Sequence, residues 1–233
     1  MICIIIPTYN EKENIFKLID SINKLKINAR IIIVDDSKEK LKSLNKKKNV
    51  RYIYRGKKLG RGTAVLLGIK YQLKNLKNKI FVEMDADFSH NPNELKRNIK
   101  YFKKKKLNFL ISSRYLKESK IINWPFSRHL LSKLSNILAR LLLAVPIKDY
   151  TNGYRIYDRS AAQHILNKCS TTNSGFIILS EIALELHKNN FKIGEIKTIF
   201  VNRIRGASKA SFIEIFNAFL GIWKIFISKR LFD

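Results

Sequence analysis

Acidic residues, cysteines and long apolar runs are all scarce in this sequence of 233 residues. Only 18 Asp and Glu stand against 46 Lys and Arg, so the formal net charge is +28. This excess favours an anionic partner such as a nucleic acid, an anionic membrane surface or a phosphorylated substrate. Lysine is abundant throughout, so part of the charge is compositional background, and charge alone does not choose among these partners.

The two cysteines, Cys3 and Cys169, are too few and too far apart for a disulfide framework or a zinc site. A reducing, cytosolic environment fits that composition, and the first residues show no charged leader or cleavage site, so we expect no secretion signal. The chain is 45% hydrophobic and 11% aromatic, which excludes a disordered basic tail. Its length predicts one sizeable α/β core.

Short β-branched runs alternate with helical segments through the first half of the chain. The runs that predict buried strands are residues 2–6, 29–36, 50–54, 79–85 and 107–113. Apolar residues at helical spacing predict helices over residues 11–25, 62–73 and 91–104. This alternation indicates an α/β fold with a mostly parallel, doubly wound sheet flanked by helices.

Two later segments predict amphipathic helices. Leucine and isoleucine share one broad face of residues 127–144, and residues 211–230 are apolar except for a narrow polar stripe. Charged residues interrupt both segments, so neither spans a bilayer comfortably. Each helix can lie on an anionic membrane, or it can pack against the sheet or a second subunit, and the sequence leaves both interpretations open.

Polar side chains follow three of the predicted strands at their carboxyl ends, where parallel sheets bind ligands. They are Pro7 to Glu11, Asp35 and Asp36, and Asp85-Ala86-Asp87. Each stretch alone is explained at least as well by helix capping and turn formation. If the strand continues through "MDAD", its two aspartates point to one side, and paired carboxylates suit Mg²⁺ or Mn²⁺. The motif by itself leaves the choice open between a metal site and the polar end of a strand.

A series of motifs along the chain resembles the polyprenyl-phosphate sugar synthases, above all the dolichol-phosphate mannose synthases. In order, the motifs are PTYNEKENI, VDDS, KLGRGTAVLLG, MDADFSHNP, SSRY, WPFSRHLLSKLSNILARLLL, DYTNGYRIY and IGEIKTIFVNRIRGASK, over residues 1 to about 225. The combination of D-A-D-x-S-H-x-P with V-x-R-x-x-G-x-S-K is more specific than any one motif. The resemblance implies an inverting family-two glycosyltransferase with a GT-A-like catalytic domain over residues 1–210 and a C-terminal amphipathic, interfacial helix over 211–233.

The resemblance also implies roles for individual residues. Those that match nucleotide-sugar-binding positions are Pro7, Tyr9, Glu11, Val34, Asp36, Asp85, Ala86, Asp87, Arg114, Arg203 and Lys209. The implied metal ligands are Asp85, Asp87 and Ser89, and the implied acceptor-phosphate residues are Ser113, Arg114 and Arg128. The catalytic positions are matched by Asp85, Asp87, Arg114 and Arg128. Metal and arginine charge at the reacting centre would bring two anionic substrates together.

The resemblance implies transfer of a sugar to a polyprenyl (dolichyl) phosphate, and mannose from the donor GDP-mannose is the favoured sugar. The implied cofactor is Mg²⁺ or Mn²⁺, and the configuration at the sugar C1 would be inverted. A phosphate monoester is already an anionic nucleophile near neutral pH, so a general base is not required. His90 is a candidate base, against a turn or helix-start role beside Asn91-Pro92. We expect a peripheral protein on the cytoplasmic face of a membrane, bound there by its own helices or through a membrane-anchoring protein partner.

Some features depart from the family pattern. The stretch VDDSKEKLKSL lacks the S-P-D-G-T continuation of relatives, which keeps UDP-glucose as donor, or a cell-surface glycan as acceptor, as the alternative. Asn152, in the DYTNGYRIY motif, stands where the family often has serine. Gly60-x-Gly62 lacks the Walker spacing, so a turn that opens a helix is favoured over a phosphate loop. Nucleic-acid binding is not expected, because the basic residues are dispersed and no known signature is present.

Overall fold

The computed structural model describes residues 1–169, 177–202 and 220–227. Its strands are β1 (Ile2–Thr8), β2 (Ala29–Asp35), β3 (Val50–Tyr54), β4 (Ile80–Glu83), β5 (Phe109–Ser113), β6 (Lys120–Ile122), β7 (Arg155–Asp158), β8 (Ile193–Lys197) and β9 (Ile199–Val201). Its helices are α1 (Lys12–Lys24), α2 (Arg61–Leu73), α3 (Leu95–Lys104), α4 (Phe126–Leu143), α5 (Arg159–Lys168) and α6 (Ile177–Lys188). Short 3₁₀ turns at Lys42–Lys46 and Pro92–Glu94 precede β3 and α3.

Seven strands form one sheet in the order β3-β2-β1-β4-β7-β5-β8, and β6 pairs with β9 in a separate parallel ribbon. Neighbours in the large sheet are parallel except at β7, which runs antiparallel to both β4 and β5. Because β7 reverses the direction twice, β4 and β5 run the same way. The carboxyl ends of β1, β2, β4 and β5 therefore all lie at one edge of the sheet.

Alternate side chains of β1 enter two hydrophobic cores, one on each face of the sheet. Cys3 and Ile5 pack with residues of α2, α5 and α6, whereas Ile4 and Ile6 pack with residues of α1 and α3. All four side chains are buried. Helices cover both faces, which is why the strands are apolar on both sides rather than alternating in polarity.

The strands and helices predicted for the first half of the chain are confirmed, with small shifts at their ends. The strand predicted over residues 79–85 ends at Glu83, so the condition under which Asp85 and Asp87 would point to one side of a strand is not met. The chain turns there instead, and Phe88 takes a left-handed conformation with φ of 62°. Strand β7 was not anticipated, because its four residues begin with an arginine and carry no alternating pattern. In the structure this residue, Arg155, is fully buried.

Helix α4 packs on the sheet domain through Asn136, Ala139 and Leu143 and leaves much of its apolar face uncovered. The exposed large side chains, which recur at helical spacing, are Phe126, Leu130, Leu134, Ile137 and Leu141. We call this row the α4 stripe. Among the helices of the described ranges, none combines the length and the hydrophobicity needed to cross a membrane.

Residues 220–226 are helical and lie inside the helix predicted over 211–230, whereas residues 211–219 and 228–230 of that prediction lie outside the described residues. Ile222 and Ile225 are buried in the core, and Gly221 fits closely against Ile177 of α6. Leu220, Trp223 and Ile227 are exposed. One face of this short segment thus packs on the protein, as the packing interpretation predicts.

Candidate active site

A crevice of about 240 Å³ opens where β1, β2 and β4 end and α2 begins. Its lining consists of Pro7, Thr8, Tyr9, Glu11, Asp36, Lys58, Gly60, Arg61, Ala64, Asp85, Ala86 and Asp87. The convergence of three polar strand ends, predicted from the sequence, is therefore confirmed. Gly60, with φ of 95°, turns the chain into α2, which is the tight turn favoured over a phosphate loop.

Asp36 organises the loop between β3 and α2. Its carboxylate pairs with Arg55 and accepts hydrogen bonds from the backbone N–H groups of Leu59 at 2.8 Å and Gly60 at 3.0 Å. The Arg55 guanidinium also donates to the Gly60 carbonyl at 3.0 Å. The neighbouring Asp35 is fully buried. Asp36 thus holds the wall of the crevice in place before any ligand binds.

The turn after β4 is held by a cation that the sequence prediction did not include. Arg61 donates to Asp85 Oδ1 from Nε at 2.9 Å and lies 2.8 Å from it through Nη2, while its Nη1 pairs with Glu83. Asp87 Oδ1 accepts a hydrogen bond from the backbone N–H of Ser89 at 3.0 Å. Burial lowers the pKa of Arg61, but the charges of Asp85 and Glu83 outweigh burial and raise it, so the guanidinium keeps its charge.

The oxygen atoms of this turn fit a divalent cation. Asp85 and Asp87 bring carboxylates into one crevice, and carboxylate oxygens are the hard donors that Mg²⁺ and Mn²⁺ prefer. Within the described ranges, no group of three or more His, Cys, Asp or Glu side chains could hold a metal by itself. A cation at this turn would therefore need further oxygens from a bound ligand or from water.

His90 lies directly behind the turn and is 1% exposed. Its Nδ1 accepts a hydrogen bond from the backbone N–H of Asp85 at 3.0 Å, and its Nε2 lies 2.8 Å from Asn152 Oδ1. Since Nδ1 is an acceptor, the neutral ring carries its proton on Nε2 and donates it to Asn152. The ring also stacks on Tyr154 and meets the edge of Phe200. This geometry supports the turn role of His90 rather than the role of a base that reaches substrate.

Arg114 follows β5 at the same edge of the sheet and is bound by Asp149. Its Nε and Nη2 donate to the two carboxylate oxygens at 2.8 Å each, and its backbone N–H donates to the same carboxylate at 2.8 Å. Burial opposes both charges, yet their mutual attraction outweighs it, so the pKa of Asp149 is lowered and that of Arg114 is raised. Asp149 also accepts from the backbone N–H of Asn152 at 3.0 Å, which connects Arg114 to His90 and the turn.

A second cavity, of about 530 Å³, lies between α4 and the chain that follows β5. Its lining consists of Arg114, Tyr115, Ser119, Ile121, His129, Lys133, Asn136, Ile137, Arg140 and Lys148. That lining, taken over the described residues, includes four Lys and Arg side chains and no carboxylate. Ile137 belongs both to this cavity and to the α4 stripe, so a cationic cavity opens beside an exposed apolar surface. We call it the α4 cavity.

Comparison with known proteins places this geometry in a family. Residues 3–166 match the family model described as "Glycosyl transferase family 2". The chain belongs to glycosyl transferase family 2. It is therefore a glycosyltransferase, and the two cavities lie in a fold that carries this chemistry.

Two relatives of this glycosyltransferase cover most of it. The polyprenol monophosphomannose synthase of Mycolicibacterium smegmatis is 33% identical over 216 residues, which are 89% of this chain and 80% of that protein. The dolichol-phosphate mannosyltransferase of Pyrococcus furiosus is 34% identical over 234 residues, which are 96% of this chain but 63% of the relative. The chain thus spans less than two thirds of the length of the second relative.

Solved structures confirm the GT-A-like α/β fold of the glycosyltransferase. Glucosyl-3-phosphoglycerate synthase from Mycobacterium tuberculosis, in complex with UDP, has a TM-score of 0.66 and covers 97% of this chain and 80% of that one. The same enzyme in complex with Mn²⁺, UDP-glucose and phosphoglyceric acid also has a TM-score of 0.66. Sequence identity to both is 14%, so the likeness concerns the fold alone.

The structure brings most of the predicted donor-site residues of the glycosyltransferase together. Those that line the crevice are Pro7, Tyr9, Glu11, Asp36, Asp85, Ala86 and Asp87. Val34 is fully buried in the core, and Ser89 is 4% exposed, so neither lines the crevice. Arg203 and Lys209 lie outside the described residues.

Two of the predicted acceptor residues, Arg114 and Arg128, lie against the same aromatic ring, that of Trp124. Arg114 lines the α4 cavity, whereas Ser113 is fully buried at the end of β5. Arg128 donates to Asn202 Oδ1 at 2.9 Å, and its guanidinium lies 4.4 Å from the centre of the Trp124 ring. The Arg114 guanidinium lies 5.3 Å from the centre of the same ring, so the structure brings the two predicted arginines together, whereas Ser113 is buried.

Sequence reasoning missed several cations that line these cavities. Arg61 lies between two glycines at the start of a helix, and this placement was the only local signal for it. Lys133 and Arg140 are seven residues apart on α4, which is two helical turns, so helical periodicity was the signal that placed them on one face. Neither signal identifies the carboxylate or cavity that the side chain meets.

Proposed function

We propose that this glycosyltransferase transfers mannose from GDP-mannose to a polyprenyl phosphate such as dolichyl phosphate, with inversion at the sugar C1, at a membrane surface. The observation that carries the proposal is the pairing of two cavities at one edge of the sheet. A crevice with carboxylates lies there together with a cation-lined cavity that opens beside an exposed apolar stripe. The names of the two relatives, a polyprenol monophosphomannose synthase and a dolichol-phosphate mannosyltransferase, support the same sugar and the same class of acceptor.

The crevice is the expected site of the nucleotide sugar. Tyr9, Glu11 and Asp36 line the crevice at the ends of β1 and β2, and we expect them to meet the base and ribose of the nucleotide. Asp85 and Asp87 would hold Mg²⁺ or Mn²⁺ together with oxygens of the diphosphate. When bound, that cation supplies positive charge to the departing nucleoside diphosphate.

The α4 cavity is the expected site of the acceptor phosphate. Lys133, Arg140 and Lys148 add positive charge beside Arg114, and such charge attracts a phosphate and holds it against a second anion. One phosphate oxygen attacks C1 of the sugar, and the new C1–O bond forms as the bond to the nucleoside diphosphate breaks. The attacking phosphate is already anionic, which agrees with the buried position of His90.

The α4 stripe supports a membrane location for the reaction. An apolar row flanked by lysine and arginine suits a helix that lies in the interface of an anionic membrane. In that position the α4 cavity would face the lipid surface from which a polyprenyl phosphate is taken. The protein would then act peripherally, on the cytoplasmic face, with its own helix as the contact.

Activity with defined substrates tests the proposal. We expect the purified protein, with Mg²⁺, GDP-mannose and a polyprenyl phosphate, to release GDP and form a mannosyl lipid. A glucosyl lipid formed from UDP-glucose under the same conditions would replace GDP-mannose with the alternative donor. Absence of a lipid product with every common nucleotide sugar would contradict the proposal. In a binding assay, GDP with metal should raise the melting temperature more than UDP does.

A further inference from the structure

Arg61 occupies a central position in the donor crevice. It is the first residue of α2, and its guanidinium reaches across the crevice to the end of β4. There it contacts Asp85 Oδ1 through Nε at 2.9 Å and Nη2 at 2.8 Å, and Glu83 through Nη1. Nη2 also donates to the carbonyl of Gly153 at 3.3 Å. Its contacts therefore come from β4 and from the segment that enters β7.

Glu83 anchors this arginine. The Glu83 side chain is 1% exposed, and its second oxygen accepts a hydrogen bond from the Tyr157 hydroxyl at 2.8 Å. A buried carboxylate that loses its cation is costly, so Arg61 does not leave the site when a ligand enters the crevice. The guanidinium is consequently a permanent positive charge beside Asp85.

Gly153, which is distant in sequence, leaves the space that the Arg61 side chain occupies. A Cβ atom added to Gly153 would lie 1.9 Å from Arg61 Nη2, a distance at which no side chain fits. Glycine at this position therefore accommodates the arginine, although the two residues are 92 positions apart. This close fit shows that the guanidinium belongs to the packed structure of the crevice.

The placement of this cation determines what Asp85 can offer to a metal. Arg61 Nε already donates to Oδ1 and Nη2 lies 2.8 Å from the same oxygen, so a divalent cation that approached this oxygen would stand close to a fixed positive charge. A nucleoside diphosphate would offset the repulsion, because it brings two negative phosphates to the same crevice.

We propose that Arg61 is a positioning residue which holds Asp85 and weakens the binding of a divalent cation in the absence of nucleotide, so that the metal enters the site together with the nucleoside diphosphate. This inference rests on the proposed donor site, and it adds a residue that controls the order in which metal and nucleotide bind.

The affinity of the protein for Mn²⁺ alone, measured by electron paramagnetic resonance of the free ion, tests the proposal. We expect Arg61→Met to tighten Mn²⁺ binding without nucleotide by about tenfold, within the range of couplings between residues in contact. In an Asp85→Asn background the same substitution should change the affinity little, since the repulsion acts at Asp85. An unchanged or weaker affinity in Arg61→Met, or an equal gain in the Asp85→Asn background, would overturn the proposal.

Lys58 provides the matched control. It lines the same crevice, and its ammonium lies 5.3 Å from the centre of the Tyr9 ring rather than on Asp85. Lys58→Met should leave Mn²⁺ affinity nearly unchanged, and a tenfold gain there would attribute the effect to general charge and overturn the proposal. If Arg61→Met does not fold, Arg61→Met/Glu83→Gln removes the buried carboxylate with its cation and serves the same measurement. Mn²⁺ binding requires neither sugar nor lipid, so its outcome is independent of whether the proposed transfer reaction is found.

Discussion

The donor crevice and the α4 cavity lie at the same edge of one sheet, but their charges differ. Carboxylates line the crevice, and two of them, Asp36 and Asp85, are each held by an arginine, Arg55 and Arg61 respectively. The α4 cavity is lined by lysine and arginine, and its described lining contains no carboxylate. The contrast matches the two anions of the proposed reaction, because a diphosphate arrives with a metal cation whereas a lipid phosphate arrives without one.

A network of hydrogen-bonded groups lies between the cavities. It runs from the Asp85 backbone through His90 and Asn152 to Asp149 and Arg114. Three of these side chains, those of His90, Asn152 and Asp149, are almost fully buried. Buried polar groups whose hydrogen bonds are all made hold their neighbours in one arrangement. This network therefore fixes the distance between the turn at Asp85 and the α4 cavity.

The largest effect is expected at the crevice. Asp87→Ala should lower turnover by about 10³-fold, as does loss of other groups that stabilise charge on a leaving group, while the fold is kept. Steady-state kinetics and the melting temperature check both parts. Asp20→Ala, which removes an exposed aspartate from α1, is the matched control and should leave turnover unchanged. Turnover near the wild-type rate in Asp87→Ala would refute the metal assignment.

The next largest effect is expected in the network between the cavities, whose contribution to stability depends on pH. Because the pKa of Asp149 is lowered in the folded state, the stability that it contributes is present above the ordinary carboxyl pKa of about 4 and is lost as the pH falls below it. Asp149→Asn leaves Arg114 buried without its partner, which should cost about 3 to 5 kcal/mol at neutral pH.

Melting temperatures between pH 7 and pH 3 measure this effect. The difference between wild type and Asp149→Asn should be largest near neutral pH and should shrink as the pH falls. If the difference in melting temperature stays constant over this range, the ion pair between Asp149 and Arg114 does not account for the stability of the network.

A smaller effect is expected in the α4 cavity. Lys133→Met/Arg140→Met should raise the KM for the lipid phosphate by about tenfold, because each lost hydrogen bond to a charged group weakens phosphate binding. The affinity for the nucleotide should stay unchanged, since neither residue lines the crevice. Lys17→Met/Lys24→Met removes two exposed charges from α1 and controls for net charge. Equal losses of nucleotide and lipid affinity would mean that the cavities do not divide the two substrates.

The smallest effect is expected on the α4 stripe. Leu134→Ser/Leu141→Ser should lower flotation with anionic liposomes several-fold at low salt, because apolar area that would enter the interface is lost. Activity on a short-chain, water-soluble acceptor should persist. Leu76→Ser, which alters a 75% exposed leucine away from α4, should float like the wild type. Absence of flotation by the wild type would instead favour a separate membrane-anchoring protein.

Much of this architecture could be predicted from local patterns. The strands and helices of the first half follow from apolar periodicity, and the polar residues that end β1 and β2 were placed correctly in the crevice. The end of β4 was placed two residues too late, at Asp85 instead of Glu83, because the end of a strand depends on the neighbouring strands with which it pairs. The pairing partner β7 comes from residues 155–158, about 70 positions later, and no local pattern announces it.

Residue order alone thus determined which segments become strands, which residues stand at their carboxyl ends, and that α4 carries an apolar stripe, because each of these properties repeats over a few neighbouring residues. Only the tertiary structure decided which charges meet. Arg61 lies 24 positions from Asp85, and Arg114 lies 35 positions from Asp149. Such pairs form when the order of strands in the sheet brings distant segments together, and the insertion of β7 between β4 and β5 sets that order. The charge pattern of the two cavities is therefore a property of the fold.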